Sequence, residues 1–435
     1  MLRWWPSACG PAKSADSPLS ATAYPSGVVN QTPAPAEPTE DSPPPLPVLR
    51  EPADGVPDVV ATPTALEQAA AAIAAGSGPV AIDAERASGH RYGQRAFLVQ
   101  LRRTGSGTSL VDPAALSDLQ PLARALSGTE WILHASTQDL PCLAELGLRP
   151  DALFDTELAA RLLGMPRVGL AGLTEDLLGV GLAKGHGAAD WSKRPLPAEW
   201  LTYAALDVEL LIPMRELLWQ RLDEAGRRDW AEEEFRYLTT WEPKLRPDPW
   251  RRTSGVTKVG DPRSLAVVRE LWQTRERLAQ GADQPPGRIM KDATLVAIVK
   301  AAPRSERELA ELPDMRPQRR RVHHWWRAIE SALALPEADL PPRHVDDGPP
   351  PQRAWERRNP VAAARLTAVR GALTQRAEEL GIPTEILISP DPVRSLVWES
   401  EGPVSEADVR TQLAAQGVRT WQVDLVAELI AAHLT

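Results

Sequence analysis

Asp83 and Glu85 stand two residues apart in the apolar run PVAIDAE, a spacing that puts both side chains on one side of an extended strand. Two carboxylates so placed repel each other unless a cation intervenes, and hard oxygen donors of this kind suit Mg²⁺ or Mn²⁺. Taken alone, such a pair more often marks a solvated strand face or strand end. Asp139, in ILHASTQDLPCL, follows a second strand-like run and opens the next helical turn. An aspartate there can be a metal ligand or an ordinary helix cap. Tyr203 and Asp207, in EWLTYAALDVELLIPM, are four residues apart and share a helix face, with Leu201, Ala204, Leu206 and Leu211 on neighbouring faces. The bland alternative is a Tyr–Asp hydrogen bond inside a core. His134 has no zinc-like partner spacing and reads as a hydrogen-bonded structural group.

The elements that must carry these residues are legible around them. Val59 to Ala61 form a short strand, Thr62 or Thr64 caps a helix over 65–75, and Gly76-Ser77-Gly78 stops it. PVAIDAE and AFLVQLRR follow as strands across a polar turn holding Gly89 and Gly93, then a short strand at 109–111. Helix and strand patterns alternate through WILHAS, and long helical patterns run from Glu199 to Ala225. Hairpin strands followed by this alternation give an α/β domain with a mixed sheet flanked by helices.

The order of the acids, DxE on a strand, an Asp at a strand-to-helix junction, then Tyr-x-x-x-Asp on a helix, resembles the DEDD superfamily of 3′–5′ exonucleases in its Tyr subclass. Within it, DAERASGHRYGQRAFLVQL, HASTQDL and KGHGAADWSKRPLPAEWLTYAALDVELL resemble the three motifs of the ribonuclease D family over residues 57–225. The resemblance implies an RNase H-like exonuclease domain in which Asp83, Glu85, Asp139 and Asp207 hold two divalent cations, Mg²⁺ or Mn²⁺, at the scissile phosphate. Tyr203 would orient the attacking water, and the products would be nucleoside 5′-monophosphates. It implies RNA with a free 3′ end as partner, a tRNA precursor among the candidates. Phe97 and Leu98 are candidates for stacking on the terminal base, although both residue types also suit a core. Lys184 and Lys193, ahead of the third motif, are candidate phosphate contacts.

From about residue 251 the strand-like runs give way to helical patterns. VRELWQTRERLA at 268–279 parallels VRGALTQRAEEL at 369–380, and Ile289 and Asp292 parallel Ile388 and Asp391. An offset of about 100 residues marks a tandem pair of small all-α domains. Pro285 to Ile289, Asp292, Leu309, Leu312, Pro313 and Met315 resemble the HRDC domain, and the ribonuclease D family is similar in carrying two. The second copy lacks the Leu-Pro-x-Met element. Arg319, Arg320 and Arg321, followed by His323, His324, Trp325 and Trp326, read either as a basic run that contacts RNA or as a solvated face over core tryptophans. The expected organisation is a Pro-rich tail without fixed structure over 1–55, the exonuclease domain over 56–245, and helical domains over 255–338 and 355–435.

Composition narrows the alternatives. With 43% hydrophobic and 25% charged residues the 435-residue chain is neither fibrous nor wholly disordered. Cys9 and Cys142, the two cysteines, exclude a disulfide framework and a cysteine zinc site. The net charge of −9 is no argument against a nucleic-acid partner when substrate is held through cations. GVGLAKG at 179–185 has the wrong spacing for a dinucleotide loop, and P-loop, GxSxG and HExxH motifs are absent. No apolar run reaches membrane-spanning length, so a cytoplasmic protein is expected. A 3′–5′ DNA exonuclease of the proofreading or Werner type would use the same acids. A non-catalytic RNA-binding scaffold would have dispensed with at least one of them.

Overall fold

The structure is a computed structural model that describes residues 46–183, 185–244, 247–343 and 348–434. Its centre is a six-stranded sheet of β2 (Val59–Val60), β3 (Ser77–Arg86), β4 (Ala96–Thr104), β5 (Gly107–Val111), β6 (Glu130–Leu133) and β7 (Ala152–Asp155), in the order β2-β5-β4-β3-β6-β7. β3, β4 and β5 form antiparallel pairs, while β2, β6 and β7 join in parallel. The mixed sheet expected from the sequence is present, with β3 at its middle. There both faces are covered, so Val80, Ala81 and Ile82 are buried in succession rather than alternately.

One local expectation, on the Pro-rich tail, needs correction. The helical patterns over 199–225 are two helices, Ala198–Glu209 and Leu211–Glu224, with a break at Leu210. Pro213 explains the break, because its ring clashes with the carbonyl four residues earlier and it has no N–H to donate. In the Pro-rich tail, residues 1–45 lie outside the described residues, but 46–55 rest on the domain. Val48–Leu49 (β1) pairs in parallel with Gly181–Leu182 (β8), and Asp54 meets Arg102 at 2.9 Å. The prolines that exclude a helix favour the extended backbone that an edge strand needs.

Two helical domains follow, and their elements correspond one to one: Pro262–Ala282 with Pro360–Leu380, Pro286–Ile289 with Thr384–Leu387, Asp292–Ala301 with Pro390–Glu399, and Val322–Ala334 with Thr420–Ala432. The structural register sets Val268 against Leu366 and Asp292 against Pro390. The sequence pairing of Val268 with Val369, and of Asp292 with Asp391, is therefore displaced by three residues and by one. A shift of three keeps the same helix face, which is why the pattern persisted. In the first copy Arg275 meets Asp292 at 2.6 Å, whereas Leu373 and Pro390 replace that ion pair in the second.

The two copies also differ in where their cores lie. The first has a core of its own around Trp250, Leu271, Ile289, Met315 and Trp325. The second shares one continuous core with the exonuclease domain: Trp421 stacks on Trp230 with ring centroids 4.6 Å apart, and buried Glu234 receives Arg419 and the Trp421 indole N–H, each at 3.1 Å. Gly164 and Gly381 abut so closely that a Cβ on Gly164 would collide with the Gly381 carbonyl. Among the described residues, no helix is long and apolar enough to cross a membrane.

Candidate active site

Alternation along β3 turns Asp83 and Glu85 to the same side, and the Ala198–Glu209 helix packs across that strand to bring Asp207 to them. One carboxylate oxygen from each of Asp83, Glu85 and Asp207 lies within 4.8 Å of the others. Gln100, fully buried on β4 directly opposite Asp83, donates to Asp83 Oδ2 at 3.3 Å and so fixes that carboxylate. Gln100 was not singled out from the sequence, although an amide in the apolar run AFLVQL was a signal that something polar lay beneath it.

Asp139 comes from the turn that follows β6, a strand paired with β3. The chain leaves β6 through Ala135, held at φ 57°, and Asp155 stabilises this turn by accepting the Ala135 and Ser136 N–H groups and the Ser136 hydroxyl. Asp139 then occupies the N-cap position of the Leu140–Glu145 helix, yet its side chain makes no capping hydrogen bond. The carboxylate faces Arg86 instead, with Nη2 at 3.6 Å from Oδ1, while Arg86 Nη1 donates to the Gln138 carbonyl at 2.8 Å. Of the two roles open to Asp139, helix capping is not the one its side chain takes. Arg86 was also missed. It lies beside a bulge in β4, since β3 and β4 pair Glu85 with Leu98 and Arg86 with Ala96, leaving Phe97 without a partner.

The electrostatics are those of anions gathered without enough positive charge. Burial drives the Asp83 and Asp139 carboxyls above the ordinary range, and for Asp139 the Asp83 charge adds to it. Glu85 is pushed up to about 10, by burial first and then by the charges of Asp83, Asp207 and Asp139. Asp207 is raised by burial and by Asp83, against a hydrogen bond from Tyr203 that stabilises its charge. Burial and the facing carboxylates also raise the Tyr203 phenol, which keeps it a proton donor. Buried oxygen donors that cannot all ionise are a fitting cage for divalent cations.

The segment before the Ala198–Glu209 helix seats Tyr203. Trp191 is fully buried, with its ring 5.3 Å from that of Trp200 and 6.4 Å from that of Tyr203. Arg194 grips buried Asp112 through two contacts of 2.6 Å and donates to the Phe97 carbonyl at 2.8 Å, the same residue that the bulge leaves unpaired. Gly185 lies against the Tyr203 ring, where a Cβ would collide with it.

The candidate substrate contacts fare differently. Phe97 and Leu98 are buried beneath the helix with Trp191, Ala204 and Ala205, so neither ring nor methyl groups are free to stack on a base. Their apolar character serves the core because both faces of β4 are covered at this end. Lys184 lies outside the described residues. Lys193 is exposed on the loop that leads into the Tyr203 helix. Arg319 and Arg320 are exposed and Arg321 half-exposed on the turn Pro313–Arg321, whereas Trp325, behind them, is fully buried in the core of the first helical domain. His134, read as structural, sits with Nδ1 2.9 Å from the Thr156 hydroxyl. The loop after β3 reaches the first helical domain, where Asp283, the left-handed cap of Pro262–Ala282, accepts the Tyr92 N–H at 3.2 Å and faces Arg91 and Arg95.

Comparison with known proteins agrees with this geometry. Residues 57–223 match the family model of a 3′-5′ exonuclease, 264–326 that of the HRDC domain, and 348–434 that of a 3′ to 5′ exonuclease C-terminal domain. The chain is 32% identical over 330 residues to ribonuclease D of Gluconacetobacter diazotrophicus, covering 74% of this chain and 81% of that one. The structure resembles a Bifidobacterium adolescentis protein with a TM-score of 0.82 and 39% identity, over 89% of this chain and 99% of the other. It also resembles Escherichia coli RNase D, an exoribonuclease involved in structured RNA processing, with a TM-score of 0.67 and 25% identity over 87% and 98% of the two chains. With its exonuclease sheet, its HRDC domain and its likeness along most of the length of such relatives, the chain belongs to the ribonuclease D family.

Proposed function

We propose that this 3′–5′ exoribonuclease uses Asp83, Glu85, Asp139 and Asp207 to hold two divalent cations, Mg²⁺ or Mn²⁺, and releases nucleoside 5′-monophosphates from the 3′ end of RNA. The convergence of Asp83, Glu85 and Asp207 within 4.8 Å carries the reading, since such a group is stable as anions only around a cation. Bound divalent ions supply the activation of the attacking water and the stabilisation of the leaving 3′ oxygen. Tyr203, kept protonated by burial and by its carboxylate neighbours, orients that water. Gln100 and the Trp191–Arg194 segment keep Asp83 and Tyr203 in place. Lys193 and Arg319, Arg320 and Arg321 are further candidates for backbone phosphate contact, and tRNA precursors are the candidate natural substrate.

The test uses 5′-labelled single-stranded RNA and DNA of the same sequence. The RNA should shorten one nucleotide at a time in Mg²⁺ and stay intact in EDTA. Faster digestion of the DNA would transfer the reading to a DNA exonuclease, and tight RNA binding without cleavage would make the protein a scaffold. A second expectation concerns Tyr203 alone. Gly185→Ala should displace its ring and lower kcat by roughly 10- to 100-fold, with little change in KM or melting temperature. Kinetics on the same RNA, with a melting curve, check it.

A further inference from the structure

We propose that Arg86 is a resident counter-cation for Asp139, which yields that carboxylate to the second divalent ion only when a substrate phosphate draws the guanidinium away. The inference rests on the four acids being the ion ligands. Asp83, Glu85 and Asp207 already converge, whereas Asp139 stands outside that close group and faces Arg86. Among the described residues, Arg86 is the one cation in ion-pair range of any of the four carboxylates. Its guanidinium is tethered to the Gln138 carbonyl, one residue from Asp139, and its side chain is 21% exposed, so one side faces the cluster and another reaches solvent.

Charge balance gives the direction of the exchange. Four carboxylates and two divalent ions are neutral together, so a guanidinium beside them is surplus until an anion arrives. A phosphodiester brings one negative charge, and arginine is suited to phosphate oxygens. In the ion-free protein the same guanidinium offsets the Asp139 charge. The first ion then has a ready site at Asp83, Glu85 and Asp207, while the second must compete with Arg86. Whatever removes Arg86 favours the second ion, and by linkage that ion favours RNA to the same extent.

The experiment follows Mn²⁺ uptake by electron paramagnetic resonance without RNA, for the full chain and for Arg86→Gln, Arg86→Met and Arg86→Lys. The wild type should show one tight site. Arg86→Gln should show two, the second at least about tenfold tighter than the corresponding wild-type event, and Arg86→Lys should behave like the wild type. In EDTA, Arg86→Gln should bind a labelled single-stranded oligoribonucleotide about tenfold more weakly, as expected for a lost charged hydrogen bond. Arg86→Met keeps the packed stem and serves if the Gln variant does not fold. Mn²⁺ uptake unchanged in the neutral variants, or unchanged RNA affinity, would overturn the proposal. Failure of the nuclease reading would show separately, as wild-type protein leaving the same RNA intact in Mg²⁺.

Discussion

Asp83→Asn should lower kcat for RNA hydrolysis by roughly a thousandfold or more, about 4 kcal/mol of transition-state stabilisation, while leaving the ion-free protein as stable as the wild type or more so. The two effects share one cause. Asp83 lies between Glu85, Asp207 and Asp139 and raises the carboxyl of each, so removing its charge relieves repulsion in the ion-free protein. The amide still fits beside Gln100 but offers an ion one neutral oxygen in place of an anionic one. Single-turnover kinetics in Mg²⁺ and thermal unfolding in EDTA read the two halves. A variant that lost activity only because it unfolded would contradict this assignment.

Burial of Glu85, with that repulsion added to it, gives the ion-free protein a pH dependence opposite to that of a salt-bridged acid. Glu85 has a folded pKa of about 10 against an ordinary value of 4.5, so below the ordinary value both folded and unfolded chains carry the proton and nothing is lost. As pH rises past it the unfolded chain releases that proton and the folded chain keeps it. Stability should therefore fall from about pH 5 towards pH 9 in EDTA, and divalent ions, by displacing the proton, should restore most of it. Melting curves across that range, with and without Mg²⁺, should diverge upward in pH.

Trp421→Ala, far from the acids, should destabilise the exonuclease domain by about 3–5 kcal/mol and lower its heat-inactivation temperature by roughly 10 °C. The indole stacks on Trp230 and donates to Glu234, so truncation opens a cavity in the shared core and leaves a buried acid with one partner fewer. Arg227 adds to the junction by donating to the carbonyls of Leu162 and Leu380, one in each domain. Trp325→Ala provides the contrast. That residue lies in the separate core of the first helical domain, so its loss should melt that domain alone and spare hydrolysis of short RNA. Equal effects of the two substitutions on the exonuclease transition would refute the difference between the copies.

How far the sequence reached depended on whether each feature is local. Asp83, Glu85, Tyr203 and Asp207 were legible because strand alternation and a four-residue helical spacing decide where they point. Asp139 was ambiguous because a cap and a ligand occupy the same position in a sequence, and only the direction of its side chain separates them. Arg86 was not legible because its partners Asp139 and Gln138 come from a distant turn, and the bulge at Phe97 was not because no periodicity marks one extra residue in β4. The tandem helical repeat was visible, but its register was blurred by the equivalence of positions three apart on a helix. That the second copy fuses with the exonuclease core was not legible, because Trp230 and Glu234 are separated from Trp421 by most of the helical region, and the pattern of each helix alone is the same whatever covers it.

Carboxylates that hold ions are the centre of the proposed mechanism. Anomalous diffraction from a crystal equilibrated with Mn²⁺ tests that most directly. The expected result is a strong peak among Asp83, Glu85 and Asp207, absent from the Asp83→Asn variant. Protein that hydrolyses RNA in Mn²⁺ while showing no peak at those carboxylates would contradict it.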